Sequence, residues 1–354
     1  MKGNRASQQR IARDLGVSQA LVSLALNGKR KNISAETYER IWSHAAKIGY
    51  RPKGMHVDSG ALASRTVGFI LRAGLRLYTQ SNFFSHVQHG LHAGLLGHGY
   101  QSVFIGAEDS LSVQSLKEKL GRDPLFGLVI LGQVDDSFVR AIRTVQRNVV
   151  AVSASYPGLC HSVLPNERQA MDQLVEHLSG LGHRQFAWLG GNKRLRQNLT
   201  RRTALAEALE RHGLHLEEDF VADTEGGDRL DGRRAMETLL ARFSRNRFPT
   251  ALVCLNALMA RGAINCLTQR GWRVPEQVSV VAMDATRVCI EEHPEITGAS
   301  GDPEKMGSTA VELLLQSKGR EQEALSDLIL SSQLTVRETS APVPAANLPP
   351  PLPR

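Results

Sequence analysis

Apolar side chains recur at helical spacing near the start of the chain. Ile11, Ala12 and Leu15 share one face of a first helix that Ser7 caps. Gly16 ends this helix, because glycine accepts the left-handed backbone of a tight turn. The pattern therefore predicts a short helix followed at once by a turn.

The same spacing returns in two further segments. Ser18 caps a second helix, in which Val22, Ala25 and Leu26 fall at i, i+3 and i+4 and face one core. Ser34 caps a third helix, in which Ile41, Ala45 and Ile48 face inward and which ends at Gly49. Residues 1–50 are thus predicted to form a small domain of three helices.

From residue 66 onward, short apolar runs alternate with helical patterns. The predicted strands are Thr66–Leu71, Ser102–Ile105, Leu128–Leu131, Val149–Val152, Phe186–Leu189, Ala251–Leu255 and Val278–Met283. The predicted helices include Phe84–Gly97, Gln169–Leu181, Thr203–His212 and Gly232–Phe243. This alternation is typical of parallel sheets covered on both faces, and its length of about 270 residues favours two doubly wound lobes with a ligand cleft between them.

Two stretches interrupt these patterns. Residues 51–65 contain Pro52, Gly54 and Gly60, and we interpret them as a linker or hinge. Residues 342–354 are rich in proline and are predicted to be a disordered tail.

The net charge is concentrated at the beginning of the chain. The formal charge of the 354 residues is +8, and residues 1–65 hold 12 Lys and Arg against 4 Asp and Glu, so the whole excess lies there. A basic module joined to a neutral body indicates a polyanionic partner, most simply nucleic acid. A basic arm that only improves solubility is the alternative.

Composition excludes several classes of protein. The four cysteines are too scattered for a disulfide framework or a zinc cluster. The first residues lack the apolar core of a secretion signal, and no run approaches the roughly 18 apolar residues of a membrane span. We expect a soluble, cytoplasmic protein.

Residues 9–27 have the spacing of a helix-turn-helix, whose second helix enters the major groove of DNA. Gln19, Ser23 and Asn27 form its outward row, with Ala20 and Leu24 beside it. Glutamine can pair with adenine through two hydrogen bonds, and alanine or leucine can contact a thymine methyl group. An ordinary three-helix bundle with a solvated polar face is the alternative.

A second group of polar and basic residues suits the DNA backbone rather than the bases. The residues assigned to phosphate or general DNA contact are Ser7, Ser18, Ser23, Asn27, Lys29, Arg30, Lys31 and Tyr50.

Seven segments of the chain resemble the lactose/galactose repressor (LacI/GalR) family in the same order. RIARDLGVSQALVSLALNGK and ISAETYERIWSHAAKIGYRP resemble its DNA-binding domain, and NFFSHVQHGLHAGLLGHGY resembles its first core helix. GHRQFAWLGG, PTALVCLNALMARGAI, VPEQVSVVAMD and LTVRETSAP resemble later landmarks. The matches span residues 7 to 342.

The resemblance implies an α/β fold with an N-terminal helix-turn-helix domain and a periplasmic-binding-protein-like core of two parallel-sheet lobes. Its expected boundaries are 1–50 for the DNA-binding domain, 51–65 for the hinge and 66–341 for the core. Lobe one is expected at about 66–166 and 298–325, and lobe two at about 167–297 and 326–341. The family binds a pseudo-palindromic DNA operator as a homodimer, and we expect the same partners here.

By similarity, Gln19 and Ala20 hold the main specificity positions of the recognition helix. Leu24 replaces the family's usual arginine, which removes a contact to guanine. In the hinge, Ser59 stands where a leucine usually wedges into the minor groove, and Met55 and Leu62 are the candidate substitutes.

The resemblance also assigns an effector site between the lobes. Arg201, Asp284 and Asn256 match the family's cleft residues, and the alternatives are a salt bridge, a helix cap and a turn residue, respectively. Gln197, Phe83 and Phe84 are further candidates, and core packing is the stronger interpretation for one of the two phenylalanines.

Several positions depart from the family pattern around this site. Pro165, Ala257 and Ala285 stand where the family usually has acidic residues, and the aromatic residue expected near 225–227 is absent. The effector is therefore a sugar, a less hydroxylated ligand or an anion, or no effector is required.

The chain offers no nucleophile, base and orienting group for an enzyme mechanism, and it contains none of the phosphate-loop, nucleophile-elbow or zinc-helix motifs. His86, His89 and His92 recur on one helix, but a partly solvated helix face is favoured over a metal site. We expect no cofactor and no metal. The sequence predicts a sequence-specific DNA-binding transcriptional regulator, a repressor, whose operator affinity is modulated by a small effector bound between the core lobes. A cytoplasmic small-molecule-binding protein without a role in gene control is the alternative.

Overall fold

The chain divides into two compact units, Met1–Ser64 and Arg65–Arg354. The structure is a computed structural model, and it describes residues 7–26, 33–34, 37–38, 40–41, 44, 65–73, 82–317 and 324–343. Each unit is described by itself. Along these described ranges, no helix is both long and apolar enough to cross a membrane.

The first unit contains helices α1 (Gln8–Leu15) and α2 (Gln19–Leu26). Residues 37–38, 40–41 and 44 are also helical and belong to the predicted third helix. The core of the unit is formed by Ile11, Ala12, Val22, Ala25, Leu26 and Ile41, all of them buried. Of the inward positions predicted for the third helix, Ile41 is confirmed, whereas Ala45 and Ile48 lie outside the described residues.

The second unit contains two sheets of six strands each. The strands of the first sheet are β1 (Thr66–Leu71), β2 (Gln101–Ala107), β3 (Gly127–Leu131), β4 (Val149–Val152), β5 (His161–Pro165) and β11 (Asp327–Leu330). Their spatial order is β11-β5-β4-β3-β1-β2, and all neighbours are parallel. This sheet and its helices form lobe one.

The second sheet belongs to lobe two. Its strands are β6 (Phe186–Gly190), β7 (Val221–Asp223), β8 (Ala251–Cys254), β9 (Ser279–Ala282), β10 (Thr297–Gly301) and β12 (Ser332–Thr335). Their order is β12-β10-β9-β8-β6-β7, and only the edge strand β12 is antiparallel to its neighbour. The predicted fold class of two lobes dominated by parallel strands is confirmed.

Helices cover the sheets of both lobes. The helices are α3 (Asn82–Gly97), α4 (Val113–Arg122), α5 (Asp136–Arg143), α6 (Glu167–Gly180), α7 (Arg196–Arg211), α8 (Arg229–Arg242), α9 (Ala257–Gln269) and α10 (Pro303–Gln316). In lobe one, Val129 and Leu131 of β3 belong to one apolar cluster and Leu128 and Ile130 to another, because successive side chains of a strand point to opposite faces. Burial on both faces explains why β3 and β4 appear in the sequence as continuous apolar runs.

Helix α10 packs tightly against α3 through paired glycines. A Cβ at Gly90 would lie 1.9 Å from the carbonyl oxygen of Glu304, and one at Gly307 would lie 2.1 Å from that of Val87. Neither position can carry a side chain without moving the backbone of the other helix. This contact places α10 in lobe one.

The chain crosses between the lobes after β5, after β10 and after β11. Two of the crossings are hydrogen-bonded together, since Asn166 donates its N–H to Leu330 O at 2.8 Å and Ser332 Oγ donates to Asn166 O at 3.0 Å. The observed sheets differ from the expected lobe boundaries at two points. β10 pairs with β9 in lobe two rather than beginning a lobe-one segment at 298, and β11 pairs with β5 in lobe one rather than beginning a lobe-two segment at 326.

The physical reason is that each crossing lies only one or two residues from a strand. β11 alternates between exposed and half-buried positions, and one residue separates it from β12. Such a short connection leaves no composition change that would locate the switch between sheets in the sequence.

Candidate functional site

Two serines and one glycine shape the helix-turn-helix. Ser7 Oγ accepts the N–H of Arg10 at 3.2 Å, and Ser18 Oγ accepts the N–H of Leu21 at the same distance. Gly16 ends α1 with φ of 66°, in the left-handed region that favours glycine. The predicted caps and turn are confirmed, and each serine hydroxyl keeps its proton for an acceptor such as a phosphate oxygen.

The outer face of α2 differs in part from the predicted row. Gln19, Ala20 and Leu24 are exposed, and 41% of the leucine surface is accessible. Ser23 is half-buried. The accessible face is therefore a glutamine beside two apolar side chains, which is the combination that can read adenine and thymine in the major groove.

The remaining DNA-binding and hinge candidates lie outside the described residues. They are Asn27, Lys29, Arg30, Lys31, Tyr50, Met55, Ser59 and Leu62. Within the described part, the start of the third helix is capped by Ser34, whose Oγ accepts the N–H of Thr37 at 3.2 Å. His44 contacts Asp14 of α1 at 2.8 Å, and this hydrogen bond lowers the pKa of the Asp14 carboxyl group.

A cleft of about 1130 Å³ separates the two lobes of the second unit. Its walls are built from residues that follow strands: Arg72 after β1 and Gln133 after β3 in lobe one, and Asn256 after β8 and Asp284 after β9 in lobe two. The carboxyl ends of parallel strands are where such folds place ligands. All six predicted effector residues line this cleft, namely Phe83, Phe84, Gln197, Arg201, Asn256 and Asp284.

Arg201 forms a buried ion pair with Glu167. Nε donates to Oε2 at 2.7 Å and Nη2 donates to Oε1 at 2.9 Å, and the side chains are only 7% and 14% exposed. Nη1 donates to the carbonyl oxygens of Leu255 and Met283, the latter at 3.0 Å. Four of the five guanidinium protons are therefore already used. The alternative for Arg201 was a surface salt bridge, whereas the observed ion pair is buried at the cleft.

Asn256 and Asp284 are also engaged with the protein. Asn256 caps α9 by accepting the N–H of Met259 at 2.9 Å, and its Nδ2 donates to Gly227 O at 2.9 Å. Asp284 accepts the N–H of Thr286 at 2.7 Å and the N–H of Ala257 at 3.3 Å. Both residues brace the floor of the cleft, and their remaining lone pairs and protons are what they can offer to a ligand.

The aromatic candidates form one pair. The rings of Phe83 and Phe84 meet edge to face, with 5.2 Å between their centres, and both are half-buried against the apolar cluster beneath α3. They supply an apolar wall to the cleft. Gln197 lies near the start of α7 and is half-buried.

The histidine series on α3 is divided among different partners. His86 Nδ1 lies 2.9 Å from Glu304 Oε1, and His92 Nδ1 lies 3.1 Å from Ser102 Oγ. His89 is exposed. Across the described ranges there is no group of three or more potential metal ligands.

Known proteins with a similar sequence share this architecture of two lobes or act as transcriptional regulators. A family model described as periplasmic binding protein-like domain matches residues 175–340. The maltose regulon regulatory protein MalI of Escherichia coli is 28% identical over 339 residues, which cover 92% of this chain and 96% of that protein. The transcriptional repressor PurR of Erwinia tasmaniensis is 24% identical over 310 residues, covering 86% and 88%.

Solved structures agree with these sequence matches. A LacI family transcriptional regulator from Mycobacterium smegmatis has a TM-score of 0.67 and 25% identity, covering 78% of this chain and 99% of that chain. The lac repressor dimer bound to operator has a TM-score of 0.72 and 24% identity, covering 95% and 99%, and it supports the fold.

The chain is thus similar in sequence and fold to transcriptional regulators of the LacI family.

In and beside this cleft, three charged residues that the sequence did not single out are prominent. Glu167 neutralises Arg201, Arg72 lines the wall of lobe one, and Arg196 joins the lobes. Glu167 directly follows the asparagine that begins α6, which is the only sequence signal for it. Arg72 directly follows an apolar strand, and a charged residue at the carboxyl end of a parallel strand is a signal that could have been used.

Proposed function

We propose that this protein is a sequence-specific DNA-binding regulator, acting as a repressor, whose operator affinity changes when a small effector binds between the core lobes. The observation that carries this proposal is that one chain holds both an accessible recognition helix and a wide interlobe cleft. Gln19, Ala20 and Leu24 are accessible on α2, and residues from both lobes line the cleft. This role would place the protein in the cytoplasm with the DNA, and it requires no enzymatic activity.

Electrostatics supports the DNA partner. The excess of positive charge lies within residues 1–65, whereas residues 66–354 are balanced. Lysine and arginine near a duplex release condensed cations, so affinity for DNA should fall steeply with salt.

Homodimer formation is supported by apolar surface on lobe one. β2 is the edge strand of its sheet, and Phe104 on this strand is 39% exposed. Leu96 on α3, the helix that packs beside β2, is 56% exposed. An exposed edge strand with large apolar side chains favours coverage by another chain, and a two-fold dimer would match a pseudo-palindromic operator.

The effector would act by shifting a population. A ligand that contacts both walls of the cleft binds one arrangement of the lobes better than another, and the difference in affinity sets the size of the response. Arg201, Asn256, Asp284, Gln197 and the two phenylalanines are the proposed contacts.

The test is selection of duplex fragments from the organism's own genome by the full chain, followed by footprinting of the bound fragments. We expect a protected pseudo-palindrome and an affinity that falls by about 0.9 log units per phosphate contact for each log unit of salt. A chain that retains no genomic duplex at low salt would support the alternative of a ligand-binding protein without a role in gene control. A flat salt response would count against the role of the basic unit.

A further inference from the structure

Arg72 is a cationic side chain that lines the cleft. It directly follows β1 on the wall of lobe one, and its Nε is buried without a hydrogen-bond acceptor. Within the described ranges it forms no ion pair. A buried guanidinium N–H that lacks an acceptor is costly, because it has given up its hydrogen bond to water without a replacement.

The nearest carboxylate does not relieve this cost. Glu108 attracts Arg72 electrostatically, but its Oε1 accepts the N–H of Asp135 at 2.7 Å and its Oε2 accepts the N–H of Ala73 at 3.5 Å. Glu108 thus joins two loops of lobe one. Burial remains the larger influence and lowers the pKa of Arg72.

The other deeply placed arginine of the cleft cannot take a second anion without rearrangement. Glu167 already occupies the guanidinium of Arg201 with two hydrogen bonds. An oxyanion entering the cleft would have to displace Glu167 to reach Arg201, whereas Arg72 would receive it directly.

The same cleft offers acceptors for hydroxyl groups. The carboxylates of Asp135 in lobe one and Glu225 in lobe two line it, and both are exposed to the ligand space. Gln133 and Asn192 add amide groups from the two walls. Carboxylates accept hydrogen bonds from hydroxyls but repel further negative charge, so they favour a ligand with one anionic end and a hydroxylated body.

We propose that Arg72 binds the oxyanion of the effector, a carboxylate or a phosphate, and that the effector is a hydroxylated acid and not a neutral sugar. This inference rests on the proposed function, because it names the chemical class of the ligand for the same cleft. A planar guanidinium matches either oxyanion with two parallel hydrogen bonds.

One consequence does not depend on knowing the ligand. Arg72→Met removes the unpaired charge and keeps an apolar stem, so the variant should melt higher than the wild type, by about 2–4 °C for each kcal/mol of relief. The matched control is Arg273→Met, an exposed arginine away from the cleft, which should leave the melting temperature unchanged. A lower melting temperature of Arg72→Met alone would mean that Arg72 serves the fold and would overturn the proposal.

The binding test uses the full chain and thermal shift at constant ionic strength. The probes are five- and six-carbon aldonates and uronates, the matching sugar phosphates, and the parent neutral sugars. We expect at least one acid to raise the melting temperature of the wild type and of Arg273→Met, with binding about 10- to 100-fold weaker for Arg72→Met. Response to a carboxylate but not to a phosphate, or the reverse, identifies the source of the oxyanion.

Three results would overturn the inference: a neutral sugar that binds as well as its acid, an acid that binds Arg72→Met at full affinity, or no response to any acid in the panel. Operator binding by the same proteins is measured in parallel. If all of them bind the selected operator while the acids fail, the proposed regulator function stands and only the assignment of the ligand class is lost. If none binds duplex DNA, the proposed function itself fails.

Discussion

Arg196 of lobe two forms an ion pair with Asp136 of lobe one, with 2.7 Å between Nη2 and Oδ1. Its Nη1 donates to Ser155 O at 3.1 Å, and its backbone N–H donates to Gln133 Oε1 at 2.8 Å. The guanidinium also lies 5.9 Å from the centre of the Tyr156 ring. All four partners belong to lobe one, so the first residue of α7 connects the lobes beside the effector cleft.

Removal of this connection should loosen the observed arrangement of the lobes. The pair is about half exposed, so Arg196→Ala is expected to weaken effector binding by only about 1.5- to 5-fold, in line with exposed ion pairs of roughly 0.2–1 kcal/mol. Ligand titration of the full chain measures the effect. Arg273→Ala is the matched control, since Arg273 is exposed, lies outside the cleft lining and forms no ion pair in the described part of the chain. An equal loss in both variants would show that positive charge, and not the connection, matters.

The Arg201–Glu167 pair should contribute to the stability of lobe two. Arg201→Ala leaves a buried carboxylate and two carbonyl oxygens without their donors, and it should lower the free energy of unfolding by about 3–5 kcal/mol. Glu167→Gln keeps the size of the side chain and should cost less, about 1–3 kcal/mol.

Urea unfolding measures both changes. Arg168→Ala is the control, because the neighbouring Arg168 is 68% exposed and pairs with Glu207 on the surface. If the free energy of unfolding of Arg201→Ala equals that of the wild type, the Arg201–Glu167 ion pair does not stabilise the fold, and a ligand could displace Glu167 from Arg201 at little cost. Because the fold depends on Arg201, Arg201→Lys is the better variant for testing the effector response.

Gln19→Ala should relax sequence preference more than it weakens binding to unrelated DNA. Loss of a bidentate contact to adenine is expected to reduce discrimination at one base pair by about 1–3 kcal/mol. Competition between the selected operator and shuffled duplexes gives the measurement. Gln9→Ala serves as the control, because Gln9 is exposed on α1. The same loss on every duplex would remove Gln19 from base recognition.

Acid should destabilise lobe two through His183. This buried side chain lies 2.9 Å from Thr250 Oγ1 and 3.0 Å from Ala341 O, and burial lowers its pKa. The unfolded state then binds protons more readily than the folded state, so the stabilisation is present above the unfolded pKa of about 6.5 and is lost as pH falls below it. His177, whose pKa burial also lowers, acts in the same direction.

Unfolding by urea between pH 7.5 and 5 measures this dependence. His183→Gln should flatten the slope, whereas His215→Gln, at an exposed position, should not. His293 acts in the opposite sense, because its hydrogen bond to Glu338 raises its pKa and stabilises the fold at low pH. A slope that is unchanged in His183→Gln would assign the acid sensitivity to other groups.

Local patterns predicted most of the elements in the core. Apolar runs such as Leu128–Leu131 coincide with strands, and caps such as Ser7 and Ser18 mark helix starts, because burial and capping depend on neighbouring residues. Strands β5, β7, β10, β11 and β12 were missed. They are short, and several are polar or carry an exposed face, so periodicity alone could not separate them from loops.

For the candidate site, sequence similarity located all six cleft residues but not their partners. Glu167 and Arg201 are 34 positions apart, and they meet only because α6 and α7 pack beside each other. Whether the Nε–H of Arg72 meets an acceptor depends in the same way on where the packed fold places Glu108 and the other nearby side chains.

By itself, the sequence determined the order of most helices and strands and the basic first unit, because these follow from composition and from spacing along the chain, whereas resemblance to the LacI/GalR family indicated six of the residues that line the cleft. Only the tertiary structure decided which strands join which sheet, that Glu167 occupies Arg201, and that the buried Nε of Arg72 meets no acceptor among the described residues. Those outcomes depend on distances between residues far apart in the chain, and such distances exist only once both lobes are packed.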